Sequence, residues 1–112
     1  METAAGTVSI EEFRKLSFKI GVITEVTDHP DADKLYVVKV DMGGRVKQLV
    51  AGIKRSYTPE SLVGKQVVVV DNMAPALLRG VESQGMILAA SDENGIFVVT
   101  PDKPVTPGSV VK

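Results

Sequence analysis

Two successive glycines, Gly43 and Gly44, constrain the fold of this chain most strongly. They separate two apolar segments that alternate with polar residues, KLYVVKVDM at 34–42 and RVKQLVAGI at 45–53. Adjacent glycines supply the positive φ angles of a two-residue hairpin turn, and alternation with period two is typical of a half-buried strand. The sequence therefore predicts an antiparallel hairpin within an all-β fold.

Other segments extend this sheet. An alternating run from Phe18 to Val26 precedes the hairpin and predicts a first strand. After the hairpin, three apolar runs predict later strands: KQVVVV at 65–70, QGMILAA at 84–90 and IFVVT at 96–100. The segment 72–83 is expected to be a long connecting loop, and prolines keep the C-terminal tail from forming a central strand.

Two short helices are indicated by their capping residues. SIEEFRKL at 9–16 begins with Ser9 as N-cap, and Glu12 completes a capping box. TPESLVG at 58–64 has Thr58 at the N-cap and ends at Gly64. We expect residues 1–8 to be a flexible leader and residues 9–112 to form one domain.

The order of these elements predicts an OB-fold, a five-stranded Greek-key barrel, here with short helices and a C-terminal extension. Three strands, a helix and two further strands follow one another in the sequence, as in that fold. OB-folds bind oligonucleotides with the face of strands 2 and 3 and with the loops between strands 1–2 and 4–5. These loops correspond to residues 28–34 and 72–83.

Composition argues against several classes of function. The chain has no cysteine and one histidine, His29, so thiolate sites and multi-histidine metal sites are excluded. Asp28, Asp31 and Asp33 match a calcium loop incompletely, and a turn is the preferred interpretation. Ser83 has no nearby general base and no nucleophile elbow. We expect no enzyme, no metal and no cofactor.

The hydropathy of the chain predicts a cytoplasmic protein. No apolar run reaches the ~18 residues that a membrane span needs, and the N-terminal segment lacks the pattern of a signal peptide.

Positive charge is concentrated in one segment of the chain, although the formal net charge of the chain is −1. The segment Met42–Pro59 contains no acidic residue, and local positive charge attracts phosphate even in a nearly neutral chain. The alternative is an ordinary solvated surface. The basic residues of this segment are Arg45, Lys47, Lys54 and Arg55. Lys39 and Lys47 fall on opposite faces of the predicted hairpin, and the sequence does not decide which face is outside.

Three further side chains each have two interpretations. Lys34 either pairs with the neighbouring aspartates or contacts phosphate, and Arg79 is either solvated or part of a binding face. Met86 begins a strand, and the sequence alone favours a core position for it. Because only Tyr36 and Tyr57 lie near the predicted face, recognition of folded RNA by shape and backbone charge is favoured over base stacking.

Several motifs in fixed order resemble a known family. They are FKIGVITEV, HPDADKLYVVKVD, VAGI, YTPESLVGK, LRG and SQGMILAA. Together they resemble the tRNA-binding domain of methionyl-tRNA synthetases, which also occurs as a free-standing beta subunit and in endothelial-monocyte-activating polypeptide II. The resemblance runs from about Ser9 to Lys112 and is greatest for the beta-subunit type.

The resemblance implies an OB-fold, a homodimer, tRNA binding with little sequence specificity, and no catalysis in this domain. It implies assistance to the catalytic chain of methionyl-tRNA synthetase; that no membrane is a partner is expected from the hydropathy of the chain. It also implies tRNA contacts at Lys34, Asn72, Arg79, Ser83, Gln84 and Met86. Together with Lys47, Lys54 and Arg55 these residues form the predicted tRNA-binding site.

One departure from the resemblance weakens the expected charge. The loop reads NMAPALLRG, with Ala74 and Leu77 where relatives often carry lysine. Fewer phosphate contacts would lower the salt dependence of tRNA binding. The same apolar loop supports an alternative function, a chaperone-like or secretion-associated module that binds unfolded peptides in a groove.

Overall fold

The computed structural model describes residues 6–112 and shows a strand-rich chain built around one curved sheet. The part of the predicted leader at positions 1–5 lies outside the described residues. Along the chain the elements are α1 (Ile10–Phe13), β1 (Phe18–Asp28), β2 (Tyr36–Asp41), β3 (Val46–Ala51), α2 (Pro59–Leu62), β4 (Gln66–Val70), β5 (Ala76–Leu78), β6 (Val81–Ser83), β7 (Met86–Ile87), β8 (Ala89–Asp92), β9 (Gly95–Val98) and β10 (Val110–Val111).

The main sheet has the strand order β3-β2-β1-β4-β7, and β10 pairs with β1. β1 is long enough to pair with two neighbours: Phe18–Val22 pairs with β4, and the strand from Val22 to Asp28 pairs with β2, with an irregularity between Ile23 and Glu25. The chain between β4 and β7 returns along β3, so the sheet closes into a nearly complete barrel. The predicted five-stranded barrel of OB-fold type is confirmed.

The central hairpin forms as predicted. Gly43 and Gly44 have φ angles of +87° and +107°, and the backbone N–H of Met42 donates to the carbonyl oxygen of Arg45 at 2.8 Å. The Asp41 carboxylate accepts from both glycine N–H groups. This turn sets the register that places Val40 opposite Lys47 across the hairpin.

The barrel interior is filled by aliphatic side chains from β1 to β4. Val38, Val40 and Leu49 are completely buried, as are Val67 and Val69. Leu62 of α2 is also completely buried, and the N–H of Gly64 after it donates to the carbonyl oxygen of Ile23. The short helix therefore covers one end of the barrel. Its cap is the predicted one, since the Thr58 hydroxyl accepts from the N–H of Ser61.

Three details differ from the sequence-based expectation. Helix α1 has a single turn, although Ser9 caps it as predicted. The strand predicted over 84–90 is divided at Leu88, since β7 pairs with β4 whereas β8 pairs with β9. The connection 72–83 was expected to be a loop, and this is wrong for most of its length, because β5 and β6 form a hairpin there. Such pairing depends on contacts along β3 that local periodicity does not show.

Candidate nucleic-acid interface

Three segments meet at one mouth of the barrel. They are the loop 29–35 between β1 and β2, which we call the first rim loop; the hairpin 76–83 of β5 and β6, which we call the rim hairpin; and residues 52–57 after β3. Lys54 Nζ lies 3.1 Å from a carboxylate oxygen of Asp28 at the end of β1. The guanidinium of Arg79 donates to the carbonyl oxygen of Asp31 at 3.2 Å. These contacts place segments far apart in sequence side by side.

Four of the predicted site residues carry the positive charge of this mouth, and we call them the rim cations. Within residues 6–112, the side chains of Lys34 and Arg55 have no hydrogen-bond or ion-pair partner, and both are exposed. Arg79 is exposed at the tip of the rim hairpin, and Lys54 is partly exposed. The rim cations are Lys34, Lys54, Arg55 and Arg79.

The tip of the rim hairpin holds Arg79 in an unusual backbone conformation. Arg79 has φ +54° and Gly80 has φ +88°, the two positive angles of a type I′ turn between Leu78 and Val81. Non-glycine residues adopt such angles uncommonly, and asparagine is the side chain best suited to them. An arginine in this position projects from the tip at a small cost in backbone strain.

Ser83 and Gln84 do not project from the mouth. Ser83 is buried, and its hydroxyl accepts from the N–H of Val50 at 3.0 Å and donates to the carbonyl oxygen of Gly85 at 2.9 Å. The side-chain oxygen of Gln84 accepts from the N–H of Gln48 at 2.8 Å. Both side chains thus join the returning chain to β3.

Gly85 lies so close to neighbouring atoms that it has no room for a side chain. A Cβ atom there would lie 2.8 Å from the carbonyl oxygen of Val70 and 3.2 Å from a methyl carbon of Leu49. The small, polar sequence Ser-Gln-Gly therefore closes the barrel.

Lys47 belongs to an ion-pair cluster at the other end of β3. It lies on the face of the hairpin that carries buried Val40 and Leu49, whereas Lys39 lies on the outer face and donates to Gln48. Lys47 Nζ is 2.7 Å from a carboxylate oxygen of Asp71 and also donates to its backbone carbonyl. Only 17% of the Lys47 side chain is exposed.

Three cationic side chains contact the Asp71 carboxylate. Besides Lys47, Arg45 lies at 2.5 Å and Lys19 at 3.5 Å from its second carboxylate oxygen. Burial alone would raise the pKa of the Asp71 carboxyl, but hydrogen bonds from Lys47 and Arg45 and their charges hold this pKa below its ordinary value. The cluster carries excess positive charge, and its two more exposed members are Lys19 and Arg45. Sequence reasoning missed the role of Asp71, because nothing local links position 71 to position 45.

Asn72 has a structural partner as well. Its side-chain oxygen accepts from the N–H of Ser17 at 2.8 Å, and its amide nitrogen donates to the carbonyl oxygen of Lys15 at 2.6 Å. These bonds fix the segment after α1 against the end of β4. Both the oxygen and the nitrogen of the Asn72 side-chain amide therefore have hydrogen-bond partners within the protein.

Met86 lies at the edge of an apolar groove between β3 and the rim hairpin. The groove has a volume of ≈ 330 Å³. Met86 is 46% exposed, and Met73 and Leu78 on the other side of the groove are exposed to a similar degree. An apolar ligand group fits this groove better than a charged one. Its lining includes Val50, Ile53, Ala76 and Ile87.

The tyrosines near the mouth are not stacking surfaces. Tyr36 is buried, and its hydroxyl donates to the carbonyl oxygen of Tyr57 at 2.6 Å. The Tyr57 hydroxyl accepts from the N–H of Val98, and its ring packs on the barrel core. Both rings therefore serve packing.

Over residues 6–112, no three histidine or acidic side chains are grouped so that they could hold a metal ion. No helix among the same residues is long and apolar enough to cross a membrane.

Comparisons with known proteins agree on one family. The family model described as "Putative tRNA binding domain" matches residues 18–110. The chain is 56% identical over 105 residues to the methionine–tRNA ligase of Pyrococcus furiosus. The aligned region covers 94% of this chain and 14% of the ligase, so the chain spans a small part of that relative's length.

Solved structures share the fold closely. A MetRS-related protein from Pyrococcus horikoshii superposes with a TM-score of 0.86 at 32% identity, covering 100% of both chains. A CsaA chaperone protein from Picrophilus torridus superposes with a TM-score of 0.88 at 28% identity, covering 95% of this chain and 100% of the other.

Proposed function

The chain belongs to the tRNA-binding domain family, and from this we propose that it is a non-catalytic module that holds tRNA beside the catalytic part of a methionine–tRNA ligase. The module acts in the cytoplasm and binds tRNA with low sequence specificity. The family match and the likeness to a methionine–tRNA ligase support this function.

The single observation that carries the proposal is the position of the rim cations. In a chain whose formal net charge is −1, Lys34, Arg55 and Arg79 are exposed around the mouth formed by the first rim loop, the rim hairpin and residues 52–57. Exposed cations attract an anionic polymer locally even where the net charge of the chain is near zero. Phosphate contacts of this kind position RNA without reading its sequence.

The packing of Tyr36 and Tyr57 supports recognition of RNA by shape. Among the described residues, neither Tyr36 nor Tyr57 presents a free ring face to a base, because both rings serve packing. Binding of single strands depends on stacking of successive bases on aromatic side chains. A surface of separate cations suits the backbone of folded RNA better, and the expected specificity is therefore low.

The nine predicted site residues divide into two roles in this proposal. The rim cations and Met86 contact tRNA, Met86 through its exposed apolar surface beside the groove. Lys47, Asn72, Ser83 and Gln84 act indirectly, because their polar atoms bond to the protein itself. Ser83 and Gln84 join the end of the rim hairpin and the chain after it to β3, whereas Lys47 belongs to the Asp71 cluster and Asn72 fixes the segment after α1.

A separate tRNA-binding module improves a ligase by raising the local concentration of its substrate. Linking a weak binding site to a second site gives millimolar-range effective concentrations and gains of ~10²-fold or more in overall affinity. The ligase relative is much longer than this chain, which covers 14% of it. A module of this kind needs only modest affinity of its own.

We further infer a homodimer through an apolar patch formed by α1 and the C-terminal strand. The rings of Phe13 and Phe18 stack with centroids 5.5 Å apart, and a shallow cleft beside them is lined by Leu16 and Val110. Leu16 is 44% exposed and Val110 is 65% exposed. A second copy of the chain would cover these side chains and extend the basic surface.

A second candidate function is binding of unfolded peptide in the apolar groove. The groove beside Met86 and the structural likeness to a CsaA chaperone protein favour it. Apolar peptide binding depends weakly on salt, whereas phosphate contacts depend on it steeply. The two functions therefore differ in a property that is simple to measure.

Filter binding with total tRNA and with an unfolded, uncharged polypeptide over a series of salt concentrations tests the proposal. We expect tRNA to bind and its affinity to fall steeply as salt rises. Absence of tRNA binding at low salt, together with salt-insensitive binding of the polypeptide, would instead assign the groove function.

A further inference from the structure

We propose that His29, as a neutral imidazole protonated on Nε2, is a positioning residue that clamps the first rim loop onto the rim hairpin and so orients Arg79 toward tRNA. The part of this inference that concerns tRNA rests on the proposed function. The clamp itself rests on geometry alone.

The hydrogen bonds of His29 determine its tautomer. The N–H of Asp31 donates to Nδ1 at 2.9 Å, so Nδ1 carries no proton. Nε2 lies 2.9 Å from the carbonyl oxygen of Leu78, which can only accept, so Nε2 carries the proton. The residue is 5% exposed, and a buried imidazole with both nitrogens paired has one favoured orientation.

These two bonds join different parts of the mouth. Nδ1 closes a turn within the first rim loop, two residues along the chain, whereas Nε2 reaches 49 positions to the rim hairpin. Nothing in the local sequence requires the second bond. It fixes the position of Leu78, the residue immediately before the strained tip at Arg79.

Arg79 completes a closed ring of contacts. Its guanidinium donates to the carbonyl oxygen of Asp31, whose N–H is the donor to His29. The ring thus runs from His29 to Leu78, through Arg79, to Asp31 and back to His29. Both rim segments are held in one relative position, and that position places the rim cations Lys34 and Arg79 at the same mouth.

Two conservative substitutions separate the two bonds. In His29→Gln the amide nitrogen occupies the region of Nε2 and retains the bond to Leu78. In His29→Asn the side-chain oxygen occupies the region of Nδ1 and retains only the turn with Asp31. The variants differ by one methylene group, so each is the matched control of the other.

The test measures tRNA affinity of both variants by filter binding, well below their melting temperatures. We expect His29→Gln to bind within about threefold of the unmodified protein, and His29→Asn to bind about tenfold more weakly because the bridging bond is lost. Equal affinities for the two variants, or weaker binding by His29→Gln, would overturn the positioning role.

A second measurement tests the clamp independently of tRNA. Nitrogen NMR of the unmodified protein at neutral pH should show Nδ1 with the chemical shift of an unprotonated ring nitrogen and Nε2 with that of a protonated one. The opposite tautomer, or an imidazolium, would overturn the clamp. If tRNA does not bind the unmodified protein at all, the proposed function fails while this spectrum still decides the clamp.

Discussion

Gln48 and Gln84 form a reciprocal pair. The backbone N–H of Gln84 donates to the carbonyl oxygen of Gln48 at 2.8 Å, and the N–H of Gln48 donates to the side-chain oxygen of Gln84 at 2.8 Å. Gln84 thereby supplies to Gln48 both the hydrogen-bond donor and the acceptor that a neighbouring strand would supply at this edge of β3. The Ser83 hydroxyl accepts from the N–H of Val50 further along the same edge, and these bonds together close the barrel.

Removal of the Ser83 hydroxyl should destabilise the barrel. In Ser83→Ala the buried N–H of Val50 loses its acceptor, and an unpaired buried donor costs about 1–3 kcal/mol. Urea denaturation should show a corresponding fall in the free energy of unfolding. Ser91→Ala, at an exposed position, is the control. Equal effects of the two substitutions would contradict the closing role of Ser83.

Gly85 should not tolerate a methyl group. Its added Cβ would meet the carbonyl oxygen of Val70 at 2.8 Å, and this backbone group cannot move without disturbing β4. We expect Gly85→Ala to lower the free energy of unfolding by about 1–3 kcal/mol. Gly52→Ala is the matched control, because its nearest neighbour is a flexible Leu35 methyl at 3.6 Å. Equal tolerance at both sites would show that the close approach at Gly85 is unimportant.

The Asp71 cluster should make the free energy of unfolding depend on pH in the acid range. Because the folded protein lowers the pKa of Asp71 from 3.8, its stabilisation is fully present above that value and is lost as pH falls through the lower native pKa. Asp71→Asn should be less stable at pH 7 by about 2 kcal/mol and should show a flatter decline in acid.

Thermal melting of Asp71→Asn from pH 7 to pH 2 checks this expectation. Asp102→Asn, at an exposed position, serves as the control and should retain the acid dependence of the unmodified protein. If Asp71→Asn melted in parallel with the unmodified protein at every pH, the cluster would have no net effect on stability.

Charge in the apolar patch should prevent dimer formation. In Leu16→Glu/Val110→Glu, two carboxylates would have to be buried against the second copy, at a cost that a surface patch cannot offset. Light scattering coupled to gel filtration should give the mass of a dimer for the unmodified protein and of a monomer for the variant. Leu77→Glu, 72% exposed on the rim hairpin, should remain dimeric. A monomeric unmodified protein would refute the inferred homodimer.

Local sequence signals predicted the parts of the fold that depend on local chemistry. The turn at Gly43 and Gly44 requires positive φ angles that glycine provides, and the cap of α2 requires the side chain of Thr58. In each case the decisive residues lie within a few positions of one another.

The rest of the site depends on partners far along the chain. Ser83 was predicted as a tRNA contact, and its hydroxyl accepts from the backbone N–H of Val50, 33 positions earlier. Asp71 meets Lys47 across 24 positions, and His29 meets Leu78 across 49. The Arg79-Gly80 tip between Leu78 and Val81 was a weak hairpin signal, since asparagine-glycine is the usual pair. Local periodicity does not predict the roles of side chains whose partners lie far along the chain.

The salt dependence of tRNA binding by a rim variant tests the central claim most directly. The variant Lys34→Ala/Arg55→Ala/Arg79→Asn removes three rim cations, and asparagine suits the positive φ angle of the hairpin tip. The control Lys65→Ala/Lys103→Ala/Lys112→Ala removes the same charge outside the mouth. If the rim cations contact phosphate, the rim variant alone should bind at least about tenfold more weakly and lose about 2 to 3 units of slope in log affinity against log salt. Equal affinity and slope in the two variants would contradict the claim that this mouth binds tRNA.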